Sequence, residues 1–225
     1  MTRRNGTTGM LLHADPAFAS GSSSFSSGLE TLVADGWVAT GEQLTALMVD
    51  TIRSRWNTFD RVFLVRAWAT REVADLAGID REVEVSLLGA AARLASRRAG
   101  MALLGTWERL GQREASAYRA QLGNGSPGGH LCVAQGLVYS ANGLDLAEAE
   151  SLASWAVLSA YASGAVRLGA IGHRAAQVAL VQAQDLVTIV LETPVDPSAT
   201  PMAWTPVSDI AVERHSLSDL RLFAS

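Results

Sequence analysis

Apolar side chains recur along this chain every three or four residues, the spacing that gathers them on one face of a helix. Leu44, Leu47, Met48, Ile52 and Trp56 form the first such series. It follows Thr40-Gly41-Glu42-Gln43, where the Thr hydroxyl and the Gln amide are spaced to satisfy one backbone donor each at a helix start. A second helix is expected from about Thr58 to Leu76, with Phe59, Val62, Phe63 and Val73 inward. Asp80 is expected to cap a third. That long run carries Leu87, Ala91, Leu94, Met101 and Leu104 inward and Arg93, Arg97 and Arg98 outward. Leu131 to Ser140 reads as another helix, ended by Asn142-Gly143. Asp145, with Glu148 three residues on, signals a further start. The helix it opens has no charge from Ser151 to Val166, and Ala149, Ala153, Ala156, Ala160 and Gly164 give it a stripe of small residues. The run falls short of the roughly 20 apolar residues of a membrane span and is broken by Ser151, Ser154, Ser159 and Ser163, so a central buried helix is expected. A last long helix is expected from about Arg174 to Glu192. Strand-like alternation bounded by turns does not appear. The expected fold is an all-α, single-domain bundle of about eight to ten helices, with no internal repeat.

Beyond the helices the pattern changes. Thr193 to Pro206 holds Pro194, Pro197, Pro201 and Pro206, which excludes helix and predicts an extended linker. The chain therefore divides into a helical part (1–192, including an N-terminal Gly/Ser loop), a linker (193–206), and a short helix with a tail (207–225). The tail ends Arg221-Leu222-Phe223-Ala224-Ser225. Large apolar anchors beside an Arg are residue types that carry binding energy at interfaces. A proline-stiffened linker ahead of them favours an arm reaching toward another surface.

Composition narrows the function. The chain of 225 residues is long enough for a substantial core, and 48% of it is hydrophobic. Its net charge of −4 gives no basic field for nucleic acid or an anionic membrane. One cysteine, Cys132, precludes an internal disulfide and fits a reducing, cytoplasmic compartment. Met10-Leu11-Leu12 is too short for a signal-peptide core. All 18 basic residues are Arg. With no Lys, a Walker-type phosphate loop and a Schiff-base enzyme are both excluded. Gly123 to Gly129 thus reads as an exposed turn-rich loop. His13, His130, His173 and His215 are scattered, with no HExxH, CxxC or GxSxG motif. A helical enzyme or direct metal carrier using His130, Cys132 or His173 stays open as the alternative. Gly21 to Glu30 has many hydroxyls but no nearby base. It reads as a loop capping a helix that starts near Leu29, with Glu30 in the first turn favouring the helix dipole.

Three segments together resemble the urease accessory protein UreF family. Gly21 to Glu30, followed by Thr31 to Val38, is similar to its N-terminal Gly/Ser-aromatic-GLE motif. Ala165 to His173 resembles its basic-Leu-x-x-x-Gly-Gln signature after the apolar helix. Arg214-His215 with Leu220 to Ser225 is similar to its Arg-His…Ser-Arg-Leu-Phe-Arg-Ser end. The order of the three spans nearly the whole chain. Ser22, Ser23, His173, Leu220 and Ala224 depart from the family pattern. The resemblance implies an all-helical, non-catalytic maturation factor that binds no cofactor of its own. The family joins UreD and the GTPase UreG on urease apoprotein for nickel delivery, generally as a homodimer. On matching positions, Gly21, Phe25, Ser26, Gly28, Leu29, Glu30, Arg214, His215, Arg221, Leu222, Phe223 and Ser225 would face UreD. Arg167, Gly172 and His173 would face UreG. Whether UreG hydrolysis of GTP is modulated stays open.

Overall fold

The computed structural model describes residues 6–14, 28–123 and 128–216. Among these residues the secondary structure is helical throughout, with no strand. Eleven α-helices run in the order α1 (Gly6–Ala14), α2 (Leu29–Ala34), α3 (Gly41–Thr51), α4 (Arg61–Ala69), α5 (Leu76–Ser86), α6 (Ala90–Arg109), α7 (Arg113–Leu122), α8 (Leu131–Ala141), α9 (Leu146–Arg167), α10 (His173–Leu191) and α11 (Pro206–Ser216). A π-helical segment, Ile52–Asp60, joins α3 to α4 without a break, and a 3₁₀ turn, Val73–Asp75, leads into α5. The all-α expectation holds.

Both predicted capping boxes are present. The Gln43 backbone N–H donates to Thr40 Oγ1 at 3.2 Å, while Gln43 Oε1 accepts from the Thr40 N–H at 3.1 Å. The Glu148 N–H donates to Asp145 Oδ1 at 2.8 Å, and Glu148 Oε2 accepts from the Asp145 N–H at 3.0 Å. The first series continues as an unbroken buried stripe, Leu44, Met48, Ile52, Trp56, Phe59 and Phe63. The expected break near Thr58 is therefore corrected to one rod from Gly41 to Ala69, because the apolar face never lapses. The rod stops at Thr70, whose backbone turns extended, well short of Leu76.

Other boundaries also differ. Asp80 does not open a helix. It lies buried inside α5, and its carboxylate reaches across to the start of α8. There it accepts the backbone N–H groups of Gly129 and His130 (2.9 Å for the latter) and the Tyr118 hydroxyl. The Ser96 hydroxyl accepts the next N–H, of Leu131, at 3.2 Å. Two side chains from α5 and α6 thus satisfy orphan donors that His130, at the N-cap position, leaves open. The run from Asp80 to Leu104 is split at Leu87-Leu88-Gly89, and Leu94 faces out instead of in. Helices α1 and α7 lie outside the expected set.

Helix α9 is the centre of the bundle, packed on α1, α2, α3, α4, α8 and α10. Ala149 and Ala153 of its small-residue stripe are fully buried. Helices α4 and α8 also approach closely. A Cβ on Gly136 would lie 2.6 Å from the Leu64 carbonyl oxygen and 2.7 Å from the Ala67 Cβ.

The proline-rich segment is non-helical, as expected, but it does not hang free. The Met202 and Trp204 N–H groups donate to the Thr58 and Ser54 carbonyls at 2.9 and 2.8 Å, running antiparallel to the π-helical segment. Arg66 donates to the carbonyls of Pro197 and Ala199 at 2.6 and 2.8 Å. Up to Thr205 the segment is a strap laid over the rod, after which α11 packs on α2 and α6. The tail, 217–225, lies outside the described residues.

Candidate functional site

Helices α2 and α11 come from opposite ends of the sequence and pack together. Gly28, just before α2, has φ +82°, a left-handed conformation that favours glycine. A Cβ there would stand 3.0 Å from both the Ala211 Cβ and the Ser208 carbonyl oxygen, so glycine also permits the close approach of α11. Leu29 is buried beside Gly164 of α9, where a Cβ would come within 2.9 Å of its Cδ2. The Thr31 hydroxyl donates to the Ala211 carbonyl at 3.0 Å. Glu30 Oε2 lies 3.6 Å from His215 Nε2. Arg214 forks onto both Asp35 oxygens, at 2.5 and 3.2 Å. Glu213 turns toward α6 and accepts the Ala91 N–H at 3.0 Å, a cap that Gly89 cannot supply.

Five of the residues assigned to the first partner therefore meet: Gly28, Leu29, Glu30, Arg214 and His215. Arg214 is 57% exposed by side chain, whereas Leu29 and His215 are buried, so the latter two support this surface from beneath. Gly21, Phe25, Ser26, Arg221, Leu222, Phe223 and Ser225 lie outside the described residues. Arg167 ends α9 in an exposed position, Gly172 is the N-cap of α10, and His173 is exposed in its first turn. Because Leu29 packs on Gly164, one turn before Arg167, the two sets of residues lie at the same end of α9. Thr31, Asp35 and Glu213 were missed by sequence reasoning. Nothing local marks them, since the Asp35 partner is 179 residues away.

His130, Cys132 and His173 do not converge. The His130 ring is buried, with Nδ1 3.1 Å from the Ser96 hydroxyl and Nε2 2.9 Å from Glu84. Ser96 already accepts the Leu131 N–H, so one consistent arrangement has its hydroxyl donating to Nδ1 and Nε2–H donating to Glu84. Burial holds His130 below its ordinary pKa, against the pull of Asp80 and Glu84. Partial desolvation raises Glu84, but hydrogen bonds from Arg97 and His130 outweigh this and keep its carboxyl below the usual range. Cys132 lines a different space, a cavity of about 180 Å³ beneath α11 that also touches Arg55, Asp60, Tyr161, Asp209 and His215. Burial pushes its thiol well up, away from the reactive thiolate. Arg55 sits 3.4 Å from Asp60 and 3.5 Å from Asp209, so its charge is matched inside the cavity wall. Burial still raises Asp60 above its ordinary value despite Arg55. Among the described residues no cluster of three His, Cys, Asp or Glu is placed to hold a metal ion. No described helix is long and apolar enough to cross a membrane.

Sequence comparison finds relatives along most of the chain. The family model described as UreF matches residues 38–184. The urease accessory protein UreF of Trichodesmium erythraeum (strain IMS101) is 30% identical over 222 residues, covering 94% of each chain. That of Rhizobium leguminosarum bv. trifolii (strain WSM2304) is 31% identical over 225 residues, covering 93% of this chain and 92% of its own. The protein of the same name from Paenarthrobacter aurescens (strain TC1) is 29% identical over 161 residues, 68% of this chain and 70% of its own. The family model stops short of both chain ends, whereas the first two relatives extend the likeness over nearly the full length.

Proposed function

Since the chain belongs to the UreF family of urease accessory proteins, we propose that it is a non-catalytic, cytoplasmic scaffold for assembly of the urease nickel centre. In this reading it bridges UreD and the GTPase UreG on urease apoprotein, as a homodimer. The observation that carries the proposal is the meeting of Gly28, Leu29 and Glu30 with Arg214 and His215. Residues from two distant motifs, each expected to serve one partner, form a single surface at the end where the tail departs. UreD is the partner assigned to this surface and to the tail. Arg167, Gly172 and His173 nearby form the surface assigned to UreG. Their closeness suits a scaffold that holds two proteins side by side.

The test is capture of UreD and UreG by the intact chain and by a variant lacking Leu220 to Ser225. The deletion is expected to abolish UreD capture and leave the melting temperature nearly unchanged. If Leu222 and Phe223 belonged to this chain's own core, their loss would remove about 1.5–3 kcal/mol each. At about 2–4 °C per kcal/mol for a domain of this size, the midpoint would fall by at least about 6 °C. Such a fall, or undiminished UreD capture, refutes the proposal.

A further inference from the structure

Helix α11 is seated in an unusual way. Among its described side chains Ala211 is the one fully buried apolar residue, while Val207 and Ile210 face solvent at 47% and 60% exposure. Its buried side carries Ser208 and His215, flanked by the partly buried Asp209 and Glu213. An ordinary surface helix does the reverse, hiding an apolar stripe and exposing the polar one. With little apolar burial, polar contacts hold α11 in place. They are Asp209 to Arg55 at 3.5 Å, Glu213 to the Ala91 N–H at 3.0 Å, Thr31 to the Ala211 carbonyl at 3.0 Å, Glu30 to His215 at 3.6 Å, and the Arg214 fork on Asp35. The last three all come from α2 and act on the final turns of α11, next to the start of the tail.

We propose that α2 is a clamp that aims the C-terminal tail, with Asp35 as its principal positioning residue. This rests on the reading that the tail docks on UreD. Asp35 need not touch UreD. By pairing with Arg214 it holds the last described turn of α11, ahead of the tail, against α2. With the root held, docking need not also seat α11, whereas a loosened root binds in proportion to the fraction of molecules in the seated state. Asp35 is well suited to this because it lies at the end of α2, in the αR C-cap position. There its backbone N–H donates to the Thr31 carbonyl at 2.9 Å and the next N–H, of Gly36, to the Val33 carbonyl at 3.0 Å, which fixes the backbone that carries its side chain.

The experiment compares Asp35→Arg, Arg214→Asp and the double exchange in the full-length chain. It reads UreD affinity by titration and amide hydrogen exchange along α11. Each single reversal sets two like charges face to face. Seating of α11 in about one molecule in ten would weaken UreD binding about tenfold, with faster exchange confined to α11. The double exchange restores an opposite pair and is expected to recover the exchange rates of α11, the mark of a pairwise contact; because Arg214 itself is assigned to the UreD surface, the effect on affinity is read from Asp35→Arg. An Asp35→Arg variant that binds UreD as tightly as the parent, or a double exchange that recovers nothing, overturns the clamp. The variant lacking Leu220 to Ser225 is measured alongside. Undiminished UreD binding by that variant would sink the docking reading itself, separately from the clamp.

Discussion

Replacing Arg61 by Met should destabilise this fold more than almost any other single change. Arg61 is 1% exposed, beneath α9 and the end of α10. Its Nε donates to Glu150 at 2.8 Å. One terminal nitrogen donates to Asn57 at 2.9 Å and to the Val190 carbonyl at 3.0 Å, and the other donates to the Thr193 carbonyl at 3.1 Å. The guanidinium also lies 5.8 Å from the Trp56 ring centroid. Val190 and Thr193 are at the C-terminal end of α10, where backbone carbonyls lack helical partners and a cation is favourable. Met fills much of the space but leaves the Glu150 charge buried without its partner. Removing one member of such a pair costs about 3–5 kcal/mol. Denaturant unfolding should show that loss as a lowered midpoint at constant slope. The double variant Arg61→Met with Glu150→Met removes both charges and should recover most of the stability, because the stranded carboxylate, not the lost attraction, dominates the penalty. A single-variant loss below about 1 kcal/mol, or a double variant no more stable than the single, would refute this reasoning.

Gly136→Ala should destabilise by about 1–3 kcal/mol or more, read as a lower melting temperature, because its Cβ would strike the Leu64 carbonyl and the Ala67 Cβ. Acidification should weaken the fold. Burial holds His130 below its ordinary pKa, and hydrogen bonds from Arg97 and His130 hold Glu84 below its own, so both bind more protons unfolded than folded. Their contribution is complete above about pH 6.5 and fades as pH falls from there into the carboxylate range, while Asp60, raised by burial, works the other way at the acid end. His130→Gln should flatten the change in unfolding free energy between about pH 7.5 and about pH 5.5; an unaltered slope would exclude His130 as its source. Arg167→Glu should stay folded, losing little beyond the dipole contribution of about 0.3–1 kcal/mol, bind UreD, and recruit UreG poorly. Undiminished UreG recruitment would leave Arg167 as a helix-end charge only.

What could be read in the sequence is what neighbouring residues settle among themselves. The capping boxes at Thr40 and Asp145, the Asn142-Gly143 stop and the stripe from Leu44 to Trp56 rest on residues no more than about a helical turn apart, so their chemistry is visible in order along the chain. The helical class followed from them, as did α8 and α10 to within a residue or two. The tertiary structure alone decided every interaction made across the chain. Asp80 looks like a helix start because Asp so often caps its own segment, yet its carboxylate serves α8, some 50 residues away. The proline-rich segment is extended by local rule, but the carbonyls of Ser54 and Thr58 determine where it lies. The candidate site divides in the same way. Its motifs could be named from the sequence, whereas Asp35, Thr31 and Glu213 acquire a role only when α11 settles on α2 and α6. Buried backbone donors and charges must find partners wherever the fold supplies them, and distance along the chain does not enter that requirement.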